Sequence, residues 1–304
     1  MKTSNLNRAL AIANLINLGK TPVESFEISR DWAARQFAQS LQMVRNVVRQ
    51  TQVEMPWPEA PQPGRMFASF HFSLYPLLYR AMAQRSGPGV VYSLIGEQQE
   101  GHRNSLKQLA VQHGFQLEFI QSNLGMVKTL RRAIHDGIPG ILLLDIPWTR
   151  LDSPPDVRYP IKGGHFKGHS SLGRLLEMID PGYEILITKR IGKDFRIENA
   201  GHLDLPAAFQ AFGQALEEDP AEYERLHQFH RFFEFDQAQN CAVTFCVQDQ
   251  RYVVHTRTMQ AWQVPAKLQF KNIQDGIDTF SDDPAVVAHF GKEIKNEIDY
   301  VISI

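Results

Sequence analysis

The sequence predicts an α/β protein: a mostly parallel central sheet with helices on both faces, an N-terminal helical cap and a C-terminal antiparallel β extension. Three observations carry this. Between residues 65 and 144, short apolar runs alternate with segments of helical periodicity, the pattern of successive βαβ units. A connector at 54–64 holds Pro56, Pro58, Pro61 and Pro63, which remove amide donors and forbid helix, and so set apart what precedes it. Beyond residue 240, β-branched and aromatic residues flank a polar turn. The 304 residues are 43% hydrophobic and 21% charged, a globular composition that excludes disorder, collagen and coiled coil.

Each element follows from its pattern. In 29–52, Trp32, Phe37, Leu41, Val44, Val47 and Val48 form one helical stripe, and residues 1–55 are expected as the cap. Residues 65–71 predict a strand ending in His71, and 74–85 a helix stopped by Gly87-Pro88. A strand at 90–95, a helix at 104–113 closed by Gly114, and a strand at 117–121 follow. Residues 124–136 predict a helix with Asn123 as N-cap and Gly137 after its end, and 141–144 a fully apolar strand. Further on come a helix at 172–179, a strand at 183–188, and helices at 206–218 and 221–233, completing a core of residues 65–238. Residues 239–304 form the extension, packed on that core. Its hairpin pairs 243–247 with 251–256 around Gln248-Asp249-Gln250. A hairpin needs a third strand, and the segment around Trp262 and a last strand at 300–304 are the candidates. A short helix is expected at 285–290.

Composition also bounds the partners. Thirty-two basic residues against 33 acidic ones give a net charge of −1, so no global field draws the chain to nucleic acid. The apolar stretch at 9–18 contains Asn14 and Asn17 and falls short of the roughly 20 residues that span a bilayer. It has no signal-peptide cleavage site. Cys241 and Cys246, five apart in a predicted strand, point to opposite faces and cannot pair with each other. A soluble cytoplasmic protein, at most peripheral to a membrane, is the expectation.

Chemistry in such folds gathers at the C-terminal ends of parallel strands. Three loops converge there: the first strand runs into His71, the second into Glu97, and the fourth into Asp145. An imidazole at that edge is a general-base candidate near neutral pH. Gly163, Gly164 and Gly168 mark a loop approached closely by a ligand or by backbone. His165 and His169 are four apart among glycines that oppose helix, and His227 and His230 share a helix face. Neither pair makes the three or four convergent ligands of a zinc site, so no metal is expected.

Several stretches, in order, resemble one family. Ser69-Phe70-His71-Phe72 is similar to the strand-to-histidine motif of the lipid A late acyltransferases, the lauroyl and myristoyl transferases of the lysophospholipid acyltransferase superfamily. Residues 123–132 resemble its central helix, 137–145 the following strand and its acidic end, 168–175 the segment after its substrate loop, and 219–232 its closing helix. The resemblance covers about residues 30–235. It implies acyl transfer from a thioester on acyl carrier protein or coenzyme A. A histidine serves as base, an acid five residues on orients it, and no metal or other cofactor takes part.

The sequence departs from that pattern at Pro76, where the family has Asp or Glu; Asp145 and Glu97 are the candidate replacements. It lacks the family's N-terminal membrane anchor, which favours a soluble or carrier-held acceptor. Lys128, Arg131 and Arg132 share a helix face, with Arg103 and Lys107 nearby. That face suits a carrier's acidic helix or a phosphopantetheine phosphate, or is an ordinary solvated surface. No aromatic residues interleave with it, which argues against nucleic acid. Backbone amides near Gly163-Gly164 or an arginine would have to stabilise the oxyanion. The expected function is acyl transfer with His71 as general base. The alternative is a scaffold without catalysis that holds an acyl chain or carrier protein as a partner of another enzyme. Thioester hydrolysis or condensation on the same scaffold is a third possibility.

Overall fold

Gly19 and Thr21 set the first corner of the chain. In the computed structural model, which describes residues 2–44, 53–54, 64–86, 89–95, 100–112, 114–121, 125–145, 155–247, 250–264 and 276–281, helix α1 (Lys2–Asn17) closes on Gly19. Gly19 has φ of 88°, and Gly19 N–H and Lys20 N–H donate back to Ile16 and Leu15. Helix α2 (Pro22–Val44) starts at once with a reciprocal cap. Thr21 N–H donates to the Glu24 carboxylate at 2.9 Å, and Glu24 N–H to Thr21 Oγ1 at 3.2 Å. The Thr21 backbone bond holds the Glu24 carboxyl below its ordinary range.

The remaining elements are β1 (Val53–Glu54), β2 (Met66–Ser69), α3 (Pro76–Arg85), β3 (Val90–Ile95), α4 (Glu100–Gln112), β4 (Gln116–Gln121), α5 (Met126–His135) and β5 (Gly140–Leu143). Then come β6 (Val157–Ile161), β7 (Gly164–Gly168), α6 (Ser170–Ile179), β8 (Glu184–Ile191), β9 (Asp194–Gly201), α7 (Leu205–Glu218), α8 (Phe229–Phe232), β10 (Phe233–Phe235), β11 (Ala242–Val247), β12 (Gln250–His255), β13 (Gln260–Gln263) and β14 (Gly276–Ser281). No helix among the described residues is long and apolar enough to cross a membrane.

The chain divides into two compact units. One comprises residues 37–160 and 167–224, the other residues 1–36, 161–166 and 225–304. The first of these carries a seven-stranded sheet in the order β1-β9-β8-β2-β5-β3-β4. Its pairings are parallel except β8 with β9, joined by a tight turn at Gly192. Phe67, Ile141, Leu143, Val91 and Leu117 of the strands meet Leu77, Leu78 and Met82 of α3 and Leu106 of α4 in one cluster. Each fully buried aliphatic or aromatic side chain there contributes about 1.5–3 kcal/mol. The opposite face receives α7, where Phe209 and Phe212 meet Phe70.

The other unit is organised around a four-stranded antiparallel sheet, β13-β12-β11-β14. The hairpin pairs Ala242 with His255 through Val247 with Gln250. The segment around Trp262 supplies a third strand, Trp262 facing Val253. Val243, Phe245, Val247, Tyr252 and Val254 bury one sheet face against Ala9, Ile12, Ala13 and Ile16 of α1 and Phe26 of α2. The expected strand at 300–304 and helix at 285–290 lie outside the described residues. Both cysteines are buried, and neither forms a disulfide with a described residue.

One predicted element is corrected. Residues 221–233 are not a helix: two 3₁₀ turns, Pro220–Glu222 and Leu226–Gln228, precede the single turn α8 and strand β10. Tyr223 forms a bridge with Phe72, and β10 pairs with β7, so tertiary pairing takes the backbone groups a helix would have used.

Candidate active site

Register brings the site together. β2 and β5 run parallel as neighbours, Met66 opposite Gly140 through Ser69 opposite Leu143. Leu144 N–H then donates to Ser69 O at 2.7 Å, extending the ladder one step. Two residues beyond the last pair stand His71 and Asp145. His71 Nδ1 is 2.9 Å from Asp145 Oδ1, and the His71 backbone N–H donates to both carboxylate oxygens at 3.1 Å. The His71 carbonyl accepts from Glu224 N–H at 3.0 Å, and Ser73 N–H donates to Glu222 O at 2.7 Å. The histidine backbone is therefore fixed from both sides.

Alternation along the extended chain decides where the ring goes. Phe70 and Phe72 turn toward Phe212 of α7. His71, on the other face, meets the Tyr75 ring edge-on at 4.8 Å. Tyr75 in turn meets Tyr79 at 6.2 Å, and the Tyr79 hydroxyl bonds Ser93 at 3.0 Å. Burial, with the Glu224 charge acting the same way and the Ser93 bond opposing, pushes the Tyr79 phenol up to about 12, so it stays protonated. Pro76 sits in the first turn of α3, where its missing N–H costs nothing.

His71 is 2% exposed and Asp145 0%. A carboxylate so buried is tolerable only with donors in place, and the His71 N–H and ring nitrogen supply them. The carboxylate fixes the ring proton on Nδ1 and leaves the Nε2 lone pair open. Among the described residues Nε2 has no hydrogen-bond partner.

The link to α3 holds a second feature. Ser73 has φ of 54°, a conformation that costs a non-glycine residue about 1–3 kcal/mol. Its hydroxyl is buried with no partner among the described residues. Glu222, whose carbonyl accepts from Ser73 N–H, is 1% exposed, and its carboxylate accepts from Arg190 Nε at 2.7 Å, with Arg190 lying over Phe195. Arg80 of α3 is also buried, which pulls its pKa down. Sequence reasoning missed these groups. Nothing in the sequence couples Arg190 to Glu222, and a backbone angle leaves no mark at a serine.

The other predicted residues fall as follows. Glu97 lies outside the described residues, as does Asn123, and the N-cap of α5 is Gly125 rather than the expected Asn123. Arg103 is half-buried on α4, and Lys128, Arg131 and Arg132 are exposed on α5, Arg132 3.7 Å from Asp136. Gly163 and Gly164 turn the chain between β6 and β7 with φ of 88° and 153°. A Cβ on Gly164 would strike the Glu234 carbonyl oxygen, and the Gly163 carbonyl accepts from Asp236 N–H at 3.0 Å. Backbone is thus their close neighbour. His165 faces Asp236 at 3.5 Å, and His169 lies 3.9 Å from Asp156. Among the described residues no three His, Cys, Asp or Glu side chains group as a metal would require.

No family model matches the sequence, and no curated protein matches it.

Proposed function

We propose that the protein is an acyl-transfer enzyme. It takes an acyl group from a thioester, on acyl carrier protein or coenzyme A, and passes it to a soluble or carrier-held acceptor. The observation that carries the reading is the buried His71–Asp145 pair, 2.9 Å apart at the C-terminal edge of a parallel sheet. A carboxylate from the neighbouring strand takes the place of the acid that Pro76 cannot supply. The non-catalytic alternative would be favoured by a histidine with no carboxylate in reach, and His71 has one.

In this reading Nε2 removes the proton from an acceptor hydroxyl as its oxygen attacks the thioester carbonyl carbon. Asp145 holds the tautomer and stabilises the imidazolium. Collapse of the tetrahedral intermediate breaks the carbon–sulfur bond, and the departing thiolate takes the proton back from Nε2. The α5 basic face docks the donor.

The test offers short-, medium- and long-chain acyl thioesters of coenzyme A and of acyl carrier protein, with hydroxyl and amine acceptors, and follows thiol release. His71→Ala is expected to abolish turnover, and Asp145→Asn to lower it about 10²–10⁴-fold. Both must be checked for folding by thermal melting. Full turnover by a folded His71→Ala protein overturns the reading.

A further inference from the structure

The reaction above creates an oxyanion, and a base with its orienting acid supplies no donor for it. We propose that the Ser73 hydroxyl and the Leu74 backbone N–H are that donor pair, holding the thioester carbonyl oxygen as it becomes negative. This rests on the acyl-transfer reading and completes it.

Three observations converge on this link. Ser73 follows His71 by two residues, so its Cα lies within about 7 Å of the histidine's whatever the conformation. Its φ of 54° belongs to the left-handed region, which glycine enters freely and serine does not. Its hydroxyl is buried, and among the described residues it has no hydrogen-bond partner. Glycine would meet the conformational demand with neither the strain nor the stranded hydroxyl. A serine here bears a strained φ and a hydroxyl with no partner among the described residues, and a substrate oxygen accepting from that hydroxyl removes the second of these penalties.

Leu74 adds the second donor. Its residue is 2% exposed. The neighbouring amides are engaged: Phe72 N–H donates to Phe70 O, Ser73 N–H to Glu222 O, and Leu77 N–H to Leu74 O. Among the described residues the Leu74 N–H donates to no protein acceptor. Two adjacent unsatisfied donors, one side chain and one backbone, thus precede α3, a ten-residue helix whose N-terminal end favours negative charge. Ser73 Oγ is not hydrogen-bonded to the His71 ring, so it is not poised as the nucleophile, which favours the donor role.

The electrons balance within the proposed step. As the acceptor oxygen bonds to the carbonyl carbon, the C=O π pair moves onto the carbonyl oxygen, between Ser73 Oγ–H and Leu74 N–H. It returns when the carbon–sulfur bond breaks. Neither donor gives up its proton.

Ser73→Gly and Ser73→Ala test this side by side, because the first also relieves the strained φ and so guards against misfolding. Thiol release by both folded variants is expected to fall about 10²–10³-fold, with the pH profile unchanged because His71 is intact. A trifluoromethyl ketone in place of the thioester, which mimics the tetrahedral oxyanion, should lose affinity by a similar factor. A thioether analogue, which has no carbonyl, should bind as before. If His71→Ala is dead while both Ser73 variants stay within threefold of the native rate, the donor assignment is overturned and the acyl-transfer reading stands. An acyl adduct on Ser73 in a quenched reaction also overturns it, by making the serine a nucleophile. If the native protein releases no thiol from any thioester offered, the reading and the donor assignment fall together.

Discussion

His227 is the titratable side chain whose charge the fold resists most clearly. Burial, then the positive charges of Arg225 and Arg231 and the neighbouring His230, lowers its pKa from 6.5 to about 4. Its ring lies 5.4 Å from that of Trp32, and its Nδ1 is buried without a partner among the described residues. Between pH 6.5 and about 4 the unfolded chain binds the His227 proton and the folded chain does not, so stability falls as pH falls through that window. The slope from this one group is at most about 1.4 kcal/mol per pH unit. His227→Phe keeps a ring against Trp32 and cannot charge. Urea unfolding across the window should show a shallower acid limb for the variant, and identical limbs would refute the assignment. Other residues differ in how far the sequence betrays them. His71 and Asp145 were legible because strand ends are where parallel sheets place chemistry. Pairing Asp145 with His71 needed the adjacency of β2 and β5, which no local pattern encodes. Ser73 carries no sequence signal, since its angle and its stranded hydroxyl exist only once the chain is folded.

Helix α5 has one buried side and one exposed basic side. Met126, Leu130 and Ala133 are buried on one side, while Lys128, Arg131 and Arg132 stand exposed on another. The Arg132–Asp136 pair is so exposed that it contributes little to stability. Under the acyl-transfer reading, Lys128→Glu, Arg131→Glu and Arg132→Glu together should raise KM for a carrier-protein thioester at least tenfold and leave kcat unchanged. Added salt should mimic the effect in the native protein. An unaltered KM would make the face a solvated surface and nothing more. Periodicity made this helix easy to read, and likewise α3, α4, α6 and α7, whose apolar residues recur at helical spacing. Strand β9 was missed although Phe195 and Ile197 alternate inward with Arg196 between them, because two inward apolar positions are a faint signal. β6 and β7 each bury one large side chain, Tyr159 and Phe166, and are strands by pairing alone. Residues 221–233 misled in the opposite sense: their apolar spacing imitates a helix, while the Phe72–Tyr223 bridge and the β10–β7 ladder determine the backbone.

Asn14 and Asn17, which interrupt an apolar stretch, turn out to tie α1 to chain far along the sequence. Asn14 Nδ2 donates to Leu226 O at 2.7 Å, and Asn14 Oδ1 accepts from His230 N–H at 3.1 Å. Asn17 Nδ2 donates to Thr256 O at 3.0 Å, and Asn17 Oδ1 accepts from Gln239 N–H at 2.9 Å. With the apolar cluster of α1, α2, β11 and β12, these bonds make one core out of segments that local sequence gave no reason to join. Deleting residues 1–17 should therefore strip hydrogen-exchange protection from the β11 and β12 amides, and truncation after Gln239 should strip it from α1. Protected β11 and β12 amides in the helix-deleted protein would show that the core is not shared. The unit that bears His71 lies within residues 37–224, between those segments. Synthesis is vectorial, and the partners of Asn14 and Asn17 follow them by 212 and 239 residues. At about 5–20 residues per second, α1 waits roughly 10–50 s for the strands that bury it. A sixteen-residue helix is marginal alone in water, so its apolar stripe spends that interval exposed on the nascent chain, open to chaperone capture. The ribosome has meanwhile delivered every strand of the seven-stranded sheet, and the two asparagines close their bonds only after it.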